Sequence, residues 1–304
     1  MKKIFTFLSL LTACAISAQT NIVVKDSVSG KPIPYVNFWI ENENTVLTSD
    51  ENGELQPNIQ NDKSFILYAI GFETKRMSKL NSDIIFLKPI AHQLDEAHII
   101  SIKNKEEKEI GYYDSGGFRY RMNYFFNSIF FNISKENREK YPFIKGFKFN
   151  TLSKIKNAKI RIYLVEVNED GSPSEKLLSN VIILEVKKGN CKNIVDLSEE
   201  RILIPENGFF IVFEKLKIEQ NKYKKELRLK DKNGKKLIKT HETFQPEIAL
   251  TPINEEIGWN KRRNNKWEKS AKTSINNPNS YESFLMKKYH NKYLVPSVNV
   301  TVSN

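Results

Sequence analysis

From Ile22 onward, short apolar runs alternate with turn residues. Ile22, Val23 and Val24 are β-branched, and Ser29, Gly30, Lys31 and Pro32 then turn the chain. Tyr35 to Ile40 resumes an extended run with Val36, Phe38 and Ile40 on one face, as the two-residue period of a strand requires. Asn52 and Gly53 accept positive φ cheaply and mark a hairpin turn after Thr45 to Thr48. Phe65 to Ile70 is almost uninterruptedly apolar, the pattern of a strand covered on both faces, and Ile84 to Leu87 is the last strand before Pro89. About seven short strands without helical periodicity predict a small β-sandwich over residues 19–95.

Residues 96–122 read as a linker, lysine- and glutamate-rich over 101–111 and then loop-like at Asp114 to Gly117. Tyr124 to Phe131 is too aromatic to be left in water; it predicts a strand opening a second domain over 123–304, with a membrane-contacting patch as the minor alternative. Alternation returns at Phe147 to Phe149 and at Ala158 to Leu164, where Ile160, Ile162 and Leu164 share a face. Further strands are expected at Val181 to Leu184, Ile194 to Leu197 and Phe209 to Phe213, with a hairpin turn at Asn233 and Gly234. The whole chain therefore reads as all-β: a small sandwich followed by a larger, jelly-roll-like one.

The first 18 residues are different. Lys2 and Lys3 precede an apolar stretch too short to span a bilayer, which is the form of a secretory signal. Two processing routes stay open. Cleavage after Ala18 leaves Gln19 as the new N-terminus, whereas Leu11-Thr12-Ala13-Cys14 has the form of a lipobox and would attach the membrane through Cys14. Either route predicts an exported protein of the periplasm or cell envelope. Cleavage after Ala18 also leaves Cys191 as a lone thiol, expected to be a buried small hydrophobe.

Charge is unevenly spread. Residues 19–90 carry 7 basic and 9 acidic side chains, whereas 91–304 carry 39 and 27, so the overall net of +12 belongs to the second half. Its densest part runs from Lys215 to Lys239, with Lys261, Arg262, Arg263 and Lys266 beyond. Such a patch could meet acidic polysaccharide, anionic lipid headgroups or nucleic acid, but a solvated strand face is the plainer reading. An exported chain seldom meets nucleic acid, so no nucleic-acid partner is expected.

Asp26, Gly30 to Asn37, Thr48 to Leu55 and Ala69 to Glu73 resemble the carboxypeptidase-regulatory-like domain family. That family is a transthyretin-like sandwich common in exported proteins of Gram-negative bacteria, and the resemblance implies a non-catalytic accessory or interaction module over residues 20–95. Leu94 to Ile99 is similar to the segment joining this domain to the plug of TonB-dependent transporters, but with 208 residues after Glu96 no plug and barrel are expected. Arg161-Ile162-Tyr163, Asp196-Leu197-Ser198 and Pro205 to Phe210 resemble the C-terminal sandwich that accompanies the first domain in secreted bacterial proteins.

Candidate chemistry is sparse. His92, His98, His241 and His290 lack the spacing of a zinc site, and His241 and Glu242 should point to opposite faces of a strand. No nucleophile elbow or phosphate-binding glycine loop is present. No catalytic residue, metal ligand or cofactor is therefore expected, and the chain reads as an envelope interaction protein rather than an enzyme. The alternative is a carbohydrate-binding protein using Trp259 and Trp267, which sit on either side of a polar hairpin tip. Two placements are open for these indoles: packed inward, or displayed as a glycan platform. The partner is accordingly an envelope protein or a glycan.

Overall fold

The computed structural model describes residues 21–43, 45–56, 63–80, 82–90, 106–114, 124–230, 236–261, 265–274, 287 and 289–304. The first 18 residues with Cys14, the histidines at 92 and 98, the turn expected at 233–234 and the arginines at 262 and 263 lie outside them. The chain divides into two compact units between Pro89 and Ile90.

The first unit is a sandwich of seven strands. In one sheet β1 (Ile22–Asp26) lies between β4 (Glu54–Leu55) and β7 (Ile84–Leu87). In the other, β2 (Asn37–Ile40) lies between β3 (Val46–Thr48) and β5 (Phe65–Tyr68), with β6 (Lys75–Met77) beyond β5. Every residue of β5 is buried, as its unbroken apolar run predicts. Val24, Phe38, Leu67 and Leu87 meet in the core. The turn before β4 is held by the Asp50 carboxylate, which accepts the N–H groups of Asn52 (2.9 Å) and Glu54 (2.8 Å). Gly53 has φ +72°, and a Cβ there would lie 2.8 Å from two backbone carbonyl oxygens, so only glycine fits.

The second unit is also a two-sheet sandwich, antiparallel in every strand pairing among the described residues. Six strands form one sheet. Its path runs β14 (Gly189–Asp196), β10 (Phe143–Ser153), β24 (Val298–Ser303), β8 (Glu107–Gly111), and the short β15 (Ile202–Leu203) and β19 (Glu247–Ile248) pair with β10. The seven-stranded sheet runs β12 (Pro173–Leu177), β11 (Ala158–Val167), β16 (Phe209–Lys215), β9 (Phe126–Phe131), β21 (Gly258–Lys261), β22 (Trp267–Lys269), with β13 (Ile182–Val186) on β11. Two pairs stand apart, β17 (Lys222–Lys230) with β18 (Lys236–Phe244), and β20 (Leu250–Ile253) with β23 (Tyr293–Pro296). A six-residue helix, α1 (Lys135–Lys140), is capped by the Ser134 hydroxyl.

The inner faces of the two sheets meet through aromatic rings. Phe149 and Phe147 of β10 approach Phe213 of β16 at centroid distances of 5.0 and 6.4 Å. Such pairs contribute about 0.5–1.5 kcal/mol each beyond their buried area. Ile160, Ile162 and Leu164 sit on this face as their alternation requires, opposite Val298, Val300 and Val302 of β24. The aromatic run after Tyr124 supplies Phe126 and Phe131 to buried positions.

Two expectations need correction. The segment expected to be a solvated linker contains β8, an edge strand whose residues 107–111 pair with 299–303. Ile110 packs against the core while Glu107 and Glu109 face out to lysines, so its charges are a strand's outer face. Cys191 is only half-buried, because β14 is the opposite edge of the same sheet.

The central strands of the seven-stranded sheet are buried on both faces, over residues 160–165 of β11 and 209–214 of β16. On its outer face one register row reads Arg161, Glu214, Phe126, Lys261 and Trp267 across five neighbouring strands. Arg161 and Glu214 are 3% and 0% exposed and form an ion pair at 3.2 Å. Removing one partner of such a pair leaves an uncompensated buried charge. Glu214→Leu is expected to cost about 3–5 kcal/mol in urea unfolding, whereas Arg161→Met/Glu214→Leu recovers most of that loss.

Candidate functional site

Trp259 and Trp267 lie on neighbouring strands of one hairpin, as their spacing predicts, in β21 and β22. Both point to the outer face of the sheet, so neither joins the core between the sheets. A lysine stands directly across from each. Lys269 Nζ is 5.8 Å from the Trp259 ring and Lys261 Nζ is 5.1 Å from the Trp267 ring. Trp267 also meets Phe126 edge-on at 6.3 Å. Lys261 is 1% exposed and reaches Glu175 at 3.2 Å. Its burial pushes the ammonium below the ordinary lysine range, opposed by the carboxylates of Glu175 and Glu214. The hairpin thus interleaves indoles and ammonium groups, with one lysine over a face of each indole.

The six-stranded sheet has a different outer face. Two contiguous hollows of about 240 and 280 Å³ run across it and share Glu107, Lys145 and Asp196. Together they fall in the size range of ordinary ligand sites, roughly 300–1,000 Å³. Gly146 floors the groove at a break in register between Ile144 and Gly146, where a Cβ would come within 2.2 Å of the Val195 carbonyl oxygen. Only glycine permits that approach.

Paired charges line the walls. Lys148 Nζ lies 2.6 Å from both carboxylate oxygens of Glu109, which also accepts from Asn299 Nδ2 at 3.1 Å. Lys145 pairs with Glu107. The Tyr113 ring lies 5.3 Å from Lys148 Nζ, and its hydroxyl donates to Asn150 Oδ1 at 2.9 Å. Hydrogen bonds from Lys148 and Asn299 hold the Glu109 carboxyl below its usual range, and the Ser198 hydroxyl and N–H do the same for Asp196. The hydrogen bond to Glu107 raises the Lys145 ammonium. The groove therefore sets ammonium groups and carboxylates of opposite sign directly beside one another. It offers fixed donors and acceptors side by side, an arrangement suited to hydroxyl groups that donate and accept at once.

None of these groove residues stands out in the sequence as a site. They come from β8, β10, β14 and β24, which are far apart in the chain. One signal exists in the alternation of Glu107 and Glu109 around Lys108, ahead of Ile110, which is a strand pattern inside a charged run.

One further group titrates near physiological pH. Lys217 Nζ sits 4.2 Å from the Phe125 ring and 5.6 Å from the Phe244 ring. Burial, and then the neighbouring charge of Lys215, bring it down to about 8. Among the described residues no three His, Cys, Asp or Glu side chains converge as a metal site. His241 and Glu242 oppose Lys225 and Lys224 on β17, which puts them on opposite faces of their ribbon.

No family model and no curated protein matches the chain. Among solved structures it is similar to the cysteine protease and lectin-like domains of Cwp84, a surface layer associated protein of Clostridium difficile. The identity is 10% and the TM-score 0.35, over 88% of this chain and 58% of that one. The chain thus spans less than two thirds of that structure, and a likeness of this degree carries no argument about function.

Lys217 sets a pH signature. Between its folded value of about 8 and the ordinary lysine value of 10.5, the unfolded chain binds the extra proton. Its contribution to stability therefore rises with pH through that window. Denaturant midpoints measured across it are expected to increase for the wild type relative to Lys217→Met, which lacks this increment and is the more stable of the two at neutral pH.

Proposed function

We propose that the protein is a non-catalytic, exported binding protein of the cell envelope whose larger sandwich holds a glycan in the groove of the six-stranded sheet. The observation that carries this is the groove itself. It has a glycine floor, walls of Lys145, Lys148, Glu107, Glu109 and Asp196, and the Tyr113 ring beside them. The groove lies on the face of the sheet, where backbone groups are already paired, so it does not suit an extended peptide that adds as a strand at an edge. Closely spaced carboxylates, ammonium groups and amides match the mixed donor and acceptor edge of a sugar. The first unit, with its resemblance to carboxypeptidase-regulatory-like domains, serves as the accessory module. The basic N-terminal segment with its short apolar stretch supports export, and Cys14 supports attachment if the lipobox is used.

The glycan is placed in the groove rather than on the two tryptophans because lysines already sit over both indoles. Affinity electrophoresis against a panel of purified envelope polysaccharides tests this. Glu109→Gln and Lys148→Ala each remove charge-assisted hydrogen bonds contributing about 1.5–3 kcal/mol, so retention should weaken about tenfold or more. Trp259→Ala should leave it unchanged. Retention should hold down to the ordinary carboxylate range and fall below it, because the Glu109 charge persists until its lowered value is crossed. Retention indifferent to the groove variants and abolished by Trp259→Ala would move the site to the hairpin.

A further inference from the structure

The ribbon formed by β17 and β18 belongs to neither sheet of the sandwich. Nine residues of each strand pair without a register break, Lys222 with Phe244 through Lys230 with Lys236, a length of roughly 30 Å. Most of its described side chains are exposed. Lys224, Lys225, Glu226 and Arg228 on one strand and residues 236–240 on the other are exposed. A two-stranded ribbon open on both faces is marginal in water and gains from a surface to rest on.

Its composition indicates which surface. The two strands hold seven basic and two acidic residues, a net of +5. Among the described residues, no ion pair reaches Lys224, Lys225, Arg228, Lys236 or Lys239, whereas Lys222 at the base is held by Glu219 and Glu242. Aliphatic side chains sit among the free cations. Ile238 is 68% exposed and Leu237 47%, and as neighbours along a strand they lie on opposite faces. Ile238 stands directly across from Arg228, and Leu227 directly across from Lys239. Both faces of the outer half thus pair an aliphatic group with a cation.

We propose that this ribbon is an arm that docks on an anionic lipid surface, its outer half entering the headgroup layer. An acidic polymer lying along one face would use the cations alone. Exposed aliphatics on both faces are matched only by a medium that surrounds the ribbon, anionic at its rim and apolar below, into which lysine and arginine stems extend while their charges stay at the headgroups. The arm is separate from the groove, and neither depends on the other.

Co-sedimentation of the purified protein with vesicles of phosphatidylcholine, with and without phosphatidylglycerol, tests the proposal. The difference between the two compositions reads the electrostatic contribution independently of any acyl anchor. Preferential binding to the anionic vesicles, weakened by salt, is expected. Lys224→Gln/Arg228→Gln/Lys239→Gln should weaken it on the order of a hundredfold. Leu237→Ser/Ile238→Ser should weaken it on the order of tenfold. All five positions are exposed, and unchanged thermal unfolding of both variants confirms that the loss is not one of folding. Equal binding to both vesicle types overturns the proposal. So does retention of dextran sulfate with the same salt dependence when the Leu237/Ile238 variant still binds vesicles normally, since the arm is then a grip for polyanions.

Discussion

The central strand of the larger sandwich, β16, is buried on both faces, and that constraint organises the rest of the unit. Phe209, Ile211 and Phe213 face the six-stranded sheet, while Phe210, Val212 and Glu214 face the other way, and all six are buried. A carboxylate at zero exposure is tolerated only with a partner of opposite sign in good geometry. Arg161 stands directly opposite it on β11 and supplies that partner at 3.2 Å. The pairing also selects a register. A slip of one residue between β11 and β16 would turn Arg161 into the hydrophobic core and leave Glu214 facing an aliphatic residue.

The same row explains why the tryptophan hairpin is built as it is. Phe126, Lys261 and Trp267 continue the line from Glu214, so the ammonium of Lys261 is held between two aromatic faces and within the field of two carboxylates. Opposite Trp259, Lys269 repeats the arrangement on the next row, bonded in turn to Glu256 at 2.9 Å. Trp267 thus covers a buried ammonium, that of Lys261, whereas the lysine beside Trp259 is exposed.

What was legible in the sequence follows the range of the interactions. The covered strand at Phe65 to Tyr68, the Asp50 turn with Gly53, and the inward face of Ile160, Ile162 and Leu164 are local patterns, and the fold keeps them. Residues 107–111 were not legible as a strand because their partners are the last residues of the chain, 299–303, and their glutamates find Lys145 and Lys148 only after the sheet forms. The groove was hidden for the same reason, being the sum of four strands that no window of sequence contains. Gly146 looks unremarkable in a run with Phe147, and its role appears only where the Val195 carbonyl comes close.

A net charge of +12 says little about where a basic protein acts, because several of its cations are engaged within the fold. Lys145 and Lys148 are matched by glutamates in the groove, Lys261 is sealed beneath an indole, Lys217 lies between two phenylalanines, and Lys269 is bound to Glu256. Once these are set aside, a dense group of unmatched cations stands on the β17–β18 ribbon, alongside Ile238 and Leu237. The local ratio of cations to carboxylates therefore separates two surfaces that bulk composition merges. One sets Lys145 and Lys148 against glutamates; the other is unbalanced, with a field that decays within about 10 Å at moderate salt and acts only on what comes close.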